Sequence, residues 1–90
     1  MQGMEIKLSG HVIEKNLLDI LFGALKDKEA DITDIEIFVP TLKGSWNQKC
    51  PSIVTFKLVS FEEDDLKKSY QEVLEILKEN DCRIIYRKDI

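Results

Sequence analysis

The order in which the hydrophobic period changes along the chain constrains its fold more than any single residue does. From Met4 to Val12 the apolar side chains alternate, with Met4, Ile6, Leu8 and Val12 in one phase with Gly10, and Glu5, Lys7, Ser9 and His11 in the other. A period of two marks a half-buried strand. The period then lengthens. Leu17, Leu18, Leu21, Phe22 and Leu25 recur at three- and four-residue steps, which predicts a helix to about Lys28 with Asn16 as its side-chain N-cap and Asp19 near its positive end. Alternation returns at Thr33, Ile35, Ile37 and Val39, set against Asp34, Glu36 and Phe38, until Pro40 ends the pairing. Thr41 to Ser52 has no period and carries Gly44, Ser45, Asn47 and Pro51, so it reads as a loop. A third strand, Ile53 to Val59, turns Val54, Phe56 and Leu58 inward. The acidic run Glu62 to Asp65 suits a second helix N-terminus, followed by the stripe Leu66, Tyr70, Val73, Leu74 and Leu77 and a stop at Asn80 and Asp81. Arg83 to Lys88 makes a fourth strand, with Ile84 and Tyr86 inward and Arg83, Ile85 and Arg87 outward.

Strand-helix-strand-strand-helix-strand, with right-handed crossovers, predicts an α+β ferredoxin-like sandwich: a four-stranded antiparallel sheet with both helices on one face. The first strand then lies between the third and fourth. Ninety residues suffice for one such domain, spanning 1–90, and not for two. The other sheet face has no helical cover in this arrangement. It carries Lys7, Lys57 and Arg87 together with Ile13, Phe38, Ile53, Val59 and Ile85, an apolar set large enough to mark a partner surface. Phe38, Ile53, Val59 and Ile85 are the expected interface residues, and a second copy of the chain or a partner protein domain is the expected occupant.

Composition removes several function classes. Hydrophobic residues at 43% and charged ones at 33% describe a globular chain without a membrane span. No basic, apolar or small-residue leader pattern follows Met1, and a cytoplasmic location is expected. Thirteen basic against seventeen acidic side chains, a net charge of −4, argue against broad phosphate binding. The third strand offers no outward aromatic to stack a base, so nucleic acid is not an expected partner. Two cysteines, Cys50 and Cys82, are too few for an iron–sulfur cluster or a disulfide framework, and reduced thiols are expected. The acidic run at Glu62 lacks the glycine and spaced carboxylates of a calcium loop. His11 is the sole histidine, its neighbours suggest neither a metal site nor a nucleophile-base pair, and a structural role is the simpler reading. No metal and no cofactor is expected. In the loop, Trp46 and Lys49 either close over a ligand, with Gly44 as a hinge, or Trp46 anchors the loop itself.

The run Glu5-Ile6-Lys7-Leu8-Ser9-Gly10-His11-Val12-Ile13-Glu14, followed by Leu17 and Leu18, resembles the opening of the LOR/SDH domain. That small domain is named for lysine-ketoglutarate reductase/saccharopine dehydrogenase and also occurs in archaeal and cyanobacterial proteins of ornithine or arginine metabolism. The resemblance continues through Ile35-Glu36-Ile37-Phe38-Val39, the dipeptide Pro51-Ser52, and the third strand into the second helix. Val54-Thr55 stands where members often carry Ala-Arg, and the loop with Trp46 and Cys50 is longer. The resemblance implies a module that accompanies a larger nucleotide-binding catalytic domain, with Gly10 and His11 as its site residues.

These readings lead to a noncatalytic interaction or regulatory module, linked to amino-acid metabolism, that associates through its open sheet face. A second expectation is a module that binds a small molecule such as an amino acid through Gly10, His11, Trp46, Lys7, Lys57 and Arg87. An enzyme with His11 as proton carrier, completed by a second subunit, is a third.

Overall fold

A computed structural model describes residues 1–39 and 51–90. Its elements are β1 (Gln2–Gly10), α1 (Leu17–Leu25), β2 (Ala30–Phe38), β3 (Ser52–Ser60), α2 (Glu63–Glu79) and β4 (Arg83–Asp89). The strands form one sheet in the order β2-β3-β1-β4 with every neighbouring pair antiparallel. This is the ferredoxin-like sandwich that the period changes predict, with β1 between β3 and β4. Met4, Ile6 and Leu8 of β1 and Val54, Phe56 and Leu58 of β3 join Leu17, Leu21 and Leu25 of α1 and Leu66, Val73, Ile76 and Leu77 of α2 in one core. Each such side chain contributes about 1.5–3 kcal/mol by leaving water.

Helix α1 is shorter than its periodicity suggests and ends at Leu25 rather than Lys28. Asn16 stands at its N-cap position but not as a side-chain cap. It adopts a left-handed conformation, φ 51° and ψ 40°, and its side chain makes no capping bond. The chain instead enters the helix through a backbone-bonded turn, with Leu17 N–H donating to the Val12 carbonyl at 3.0 Å. Asparagine and aspartate tolerate this region better than other L residues, and among the described residues the other two positive-φ positions outside glycine are also of this type, Asp34 and Asp81.

Both edge strands are irregular, and this overturns three inward or outward assignments. In β2, Ile32 pairs with Leu58 and Thr33 with Lys57, after which the register slips and Glu36 pairs with Thr55. The slip falls at Asp34, whose φ of 53° bends the strand into a bulge. Thr33 therefore lies beside Lys57 on the open face, not in the core phase. In β4, Ile84 pairs with Leu8 but Tyr86 with Lys7 and Arg87 with Ile6, so Ile85 is an extra residue. Beyond it the phase is reversed: Tyr86 is on the open face and Arg87 on the helical side. A strict period of two carries no signal of an inserted residue.

The end of α2 fixes where β4 begins. Cys82 N–H donates to the Leu77 carbonyl at 2.9 Å and Asp81 N–H to the Lys78 carbonyl at 3.4 Å. This is a Schellman termination with Asp81, φ 55°, at the position that favours glycine. Replacing Asp81 by Gly removes a Cβ from a left-handed site at the expense of one exposed ion pair to Lys15. Asp81→Gly is expected to raise stability by about 0.5–1 kcal/mol in urea unfolding.

Candidate functional site

The registers of the three ladders set the open face out in rows. At one end lie Asp31, Val59 and Gly3; next come Thr33, Lys57, Glu5 and Lys88; then Glu36, Thr55, Lys7 and Tyr86; and at the other end Phe38, Ile53, Ser9 and Arg83. The two middle rows are polar or charged except for Tyr86, and the apolar side chains sit at the ends. Phe38 and Ile53 are cross-strand neighbours, and Phe38 is 60% exposed. Val59 lies three rows away, roughly 20 Å along the strand. The four expected interface residues thus do not form one patch: Phe38 and Ile53 make a corner, Val59 belongs to the far end, and Ile85 is the inserted residue of β4.

The centre of the face is a shallow hollow of about 510 Å³ lined by Glu5, Asp34, Ile35, Glu36, Thr55 and Lys57. The bulge that flips β2 also aims Asp34 at Lys57, whose Nζ lies 3.2 Å from Oδ2. Both side chains are substantially exposed, so this pair contributes no more than about 1 kcal/mol. Lys7 lies one row away from Lys57, with its ammonium 5.8 Å from the centre of the Tyr86 ring. Alternation along β3 and β1 makes Lys57 and Lys7 share this face, but their carboxylate and aromatic neighbours come from strands distant in sequence.

The other expected site residues lie elsewhere. Arg87 is on the helical side, its guanidinium 4.5 Å from the centre of the Tyr70 ring of α2 and 3.1 Å from an Asp89 carboxylate oxygen. His11 follows the end of β1, and its Nδ1 lies 3.4 Å from Glu14 Oε2. Trp46, Lys49, Gly44 and Cys50 fall outside the described residues. Lys7, Lys57, Arg87 and His11 therefore do not converge on one small molecule. Among the described residues no three His, Cys, Asp or Glu side chains are grouped so as to hold a metal ion.

A separate corner brings together residues that are far apart in sequence. Gly10 pairs with Ser52, so the Gly10-His11 and Pro51-Ser52 dipeptides meet at one end of the sheet. Cys82 closes over the same point. A methyl group on Gly10 would overlap Cys82 Sγ and come within 3.1 Å of the Cys82 Cα. The glycine is required by this close approach. Ser52 Oγ is buried there without a hydrogen-bond partner among the described residues, and the contact of His11 Nδ1 with Glu14 is an ion-pair distance without hydrogen-bond alignment. Cys82 is 6% exposed, and its thiol lies 3.4 Å from the Asn80 carbonyl oxygen, in position to donate to it. Burial pushes this thiol above its ordinary value of 9.0, against weaker opposing effects of Lys15 and the His11 backbone N–H. Sequence reading finds Gly10 and His11 by resemblance and notes Ser52 only as part of the Pro51-Ser52 dipeptide, while Cys82 has no signal beyond its place just before β4.

No protein-family model matches the chain, and no curated protein sequence does. Among solved structures the fold is similar to that of formyltetrahydrofolate deformylase from Burkholderia mallei ATCC 23344, with a TM-score of 0.55 and 11% identity. The match covers 99% of this chain and 28% of that one. At this identity the likeness is one of fold.

Gly10→Ala is expected to cost about 1–3 kcal/mol through overpacking, and part of that loss is recovered in Gly10→Ala/Cys82→Ala, measured by denaturant midpoints. Because folding raises the Cys82 pKa, its contribution to stability is full below pH 9.0 and is lost as pH rises through the folded value. In a Cys50→Ser background, the fall in stability above that pH should be smaller once Cys82 is changed to Ala.

Proposed function

We propose that this chain is a noncatalytic association module that receives a protein partner on its open sheet face. The observation that carries this reading is the face itself. It has no covering layer among the described residues, and it is patterned: a Phe38 and Ile53 corner beside rows in which charge alternates, as in Lys57, Glu5 and Lys88. An apolar anchor beside polar groups that set orientation is how interfaces combine affinity with specificity. The resemblance to the LOR/SDH domain supports the same reading and adds a setting in amino-acid metabolism, and the pairing of Gly10 with Ser52 gives its two dipeptides a common location. Under this reading the Gly10, His11, Ser52 and Cys82 corner is structural, holding the end of β1 against the start of β4.

A second reading draws on the central hollow. Glu5 and Glu36 stand beside the Asp34–Lys57 pair in a space within the usual range for small-molecule sites, and excess carboxylate favours an ammonium or guanidinium group. This is the amino-acid module, with acidic residues rather than Arg87 and His11 as its contacts.

The two readings separate in a pair of measurements. Phe38→Asp/Ile53→Lys is expected to weaken association through the open face about tenfold or more in sedimentation equilibrium while the unfolding temperature stays near that of the unchanged chain. A chain that stays monomeric at the highest attainable concentration and gains no stability from any candidate partner domain overturns the association reading. Ornithine, arginine or lysine at a hundredfold excess over Kd would add about 2.7 kcal/mol of stability. A gain of that kind, lost in Glu5→Gln/Glu36→Gln, would favour the amino-acid reading instead.

A further inference from the structure

The two strands that border the sheet carry opposite charge. β2 holds Asp31, Asp34 and Glu36 and no cation, while β4 holds Arg83, Arg87 and Lys88 against Asp89. Asp34 is paired with Lys57 and Arg87 with Asp89. That leaves Asp31 and Glu36 on one edge and Arg83 and Lys88 on the other, all exposed and none in an ion pair with another described residue. Charges on a sheet edge ordinarily prevent a second sheet from adding to it. Here the two edges are complementary to each other, and each repels its own kind.

Their spacing also matches. Asp31 and Glu36 pair with Val59 and Thr55 of β3, four residues apart, because the bulge absorbs one residue of β2. Arg83 and Lys88 pair with Ser9 and Glu5 of β1, again four residues apart, because the inserted Ile85 absorbs one residue of β4. Each charge pair thus spans roughly 13 Å along its edge, and all four side chains point to the open face. With every neighbouring pair antiparallel, β2 and β4 run in opposite directions. A second copy in the same orientation therefore presents β4 antiparallel to the free edge of β2. When Asp31 stands opposite Lys88 of the second copy, Glu36 stands opposite its Arg83 and Thr33 opposite its Tyr86.

We propose that the chain associates head to tail with further copies of itself, with β2 of one copy pairing with β4 of the next into a continuous antiparallel sheet. This contact goes beyond the open-face reading above: it uses the two edges of the sheet, takes a second copy as its occupant and leaves the open face uncovered. The contact is heterologous, so the twist between neighbouring strands decides whether it closes into a ring or runs on as a filament. Pairing β2 with β2 gathers acidic residues and pairing β4 with β4 gathers basic ones, which disfavours both twofold alternatives.

Two charge reversals test this. Asp31→Lys/Glu36→Lys makes both edges basic, and Arg83→Glu/Lys88→Glu makes both acidic. Each variant alone should self-associate about tenfold or more weakly than the unchanged chain in sedimentation velocity, because two opposite-charge pairs become like-charge pairs. An equimolar mixture of the two should recover association, since every contact between unlike copies again joins opposite charges. Association of the unchanged chain should weaken as salt is raised. Asp31→Asn/Glu36→Gln, which only neutralises the edge, gives an intermediate result and guards against a folding defect in the reversed chains. Variants that associate like the unchanged chain, or a mixture that stays monomeric while the unchanged chain assembles, overturn the edge-to-edge contact. If association then persists and is lost in Phe38→Asp/Ile53→Lys, the open-face reading stands without it; if the unchanged chain is monomeric throughout, the edge-to-edge contact falls, and the open-face reading falls with it when no candidate partner domain adds stability.

Discussion

Met4, Ile6 and Leu8 on β1 and Val54, Phe56 and Leu58 on β3 are no more than 3% exposed, because α1 and α2 bury the face these two strands share. Everything else about the molecule is arranged around that one-sided burial. It makes β1 and β3 the central strands and leaves β2 and β4 as edges. It also leaves the opposite face without a covering layer among the described residues. The half-buried state of Glu5, Lys7, Lys57 and Thr55 reflects their neighbours in the sheet and not a second core.

The two bulges convert this scaffold into a patterned surface. A regular β2 would carry Thr33 inward, and a regular β4 would carry Tyr86 inward and Arg87 outward. Instead Thr33 joins Lys57, Tyr86 joins Lys7, and Arg87 stacks on Tyr70 of α2. The expected cluster of cations is dispersed, and the apolar residues are split between the ends of the face. What replaces them is a charged centre, an apolar corner and two edges of opposite sign.

The central elements were legible because their side chains obey a single period over enough residues. Ile6, Leu8, Phe56, Leu21 and Val73 are all found where two- and three-to-four-residue periodicity puts them. The edges were less legible. Asp34 and Ile85 look like ordinary members of alternating runs, and nothing adjacent to them announces an extra residue. Asn16 was readable as a helix start but not as a left-handed turn, because the same side chain suits both. The candidate site was legible only in parts: Lys7 and Lys57 were placed on the correct face, whereas Arg87 was not, and the role of Glu5, Asp34 and Glu36 around Lys57 depends on a register that spans three strands.

The sequence by itself determined the number, type and order of the elements and the core residues of the two central strands, since hydrophobic periodicity is a local property read within one segment; at β2 and on the helices it also put Ile35, Ile37 and Phe22 on apolar stripes that the fold leaves exposed. Tertiary structure alone decided which segments adjoin. It set Gly10 against Ser52 and Cys82, Asp34 against Lys57, and the acidic and basic edges at opposite borders of one sheet. The physical reason is that register between strands is a collective choice, fixed by packing both helices on one face, and a single bulge changes the neighbours of every residue beyond it.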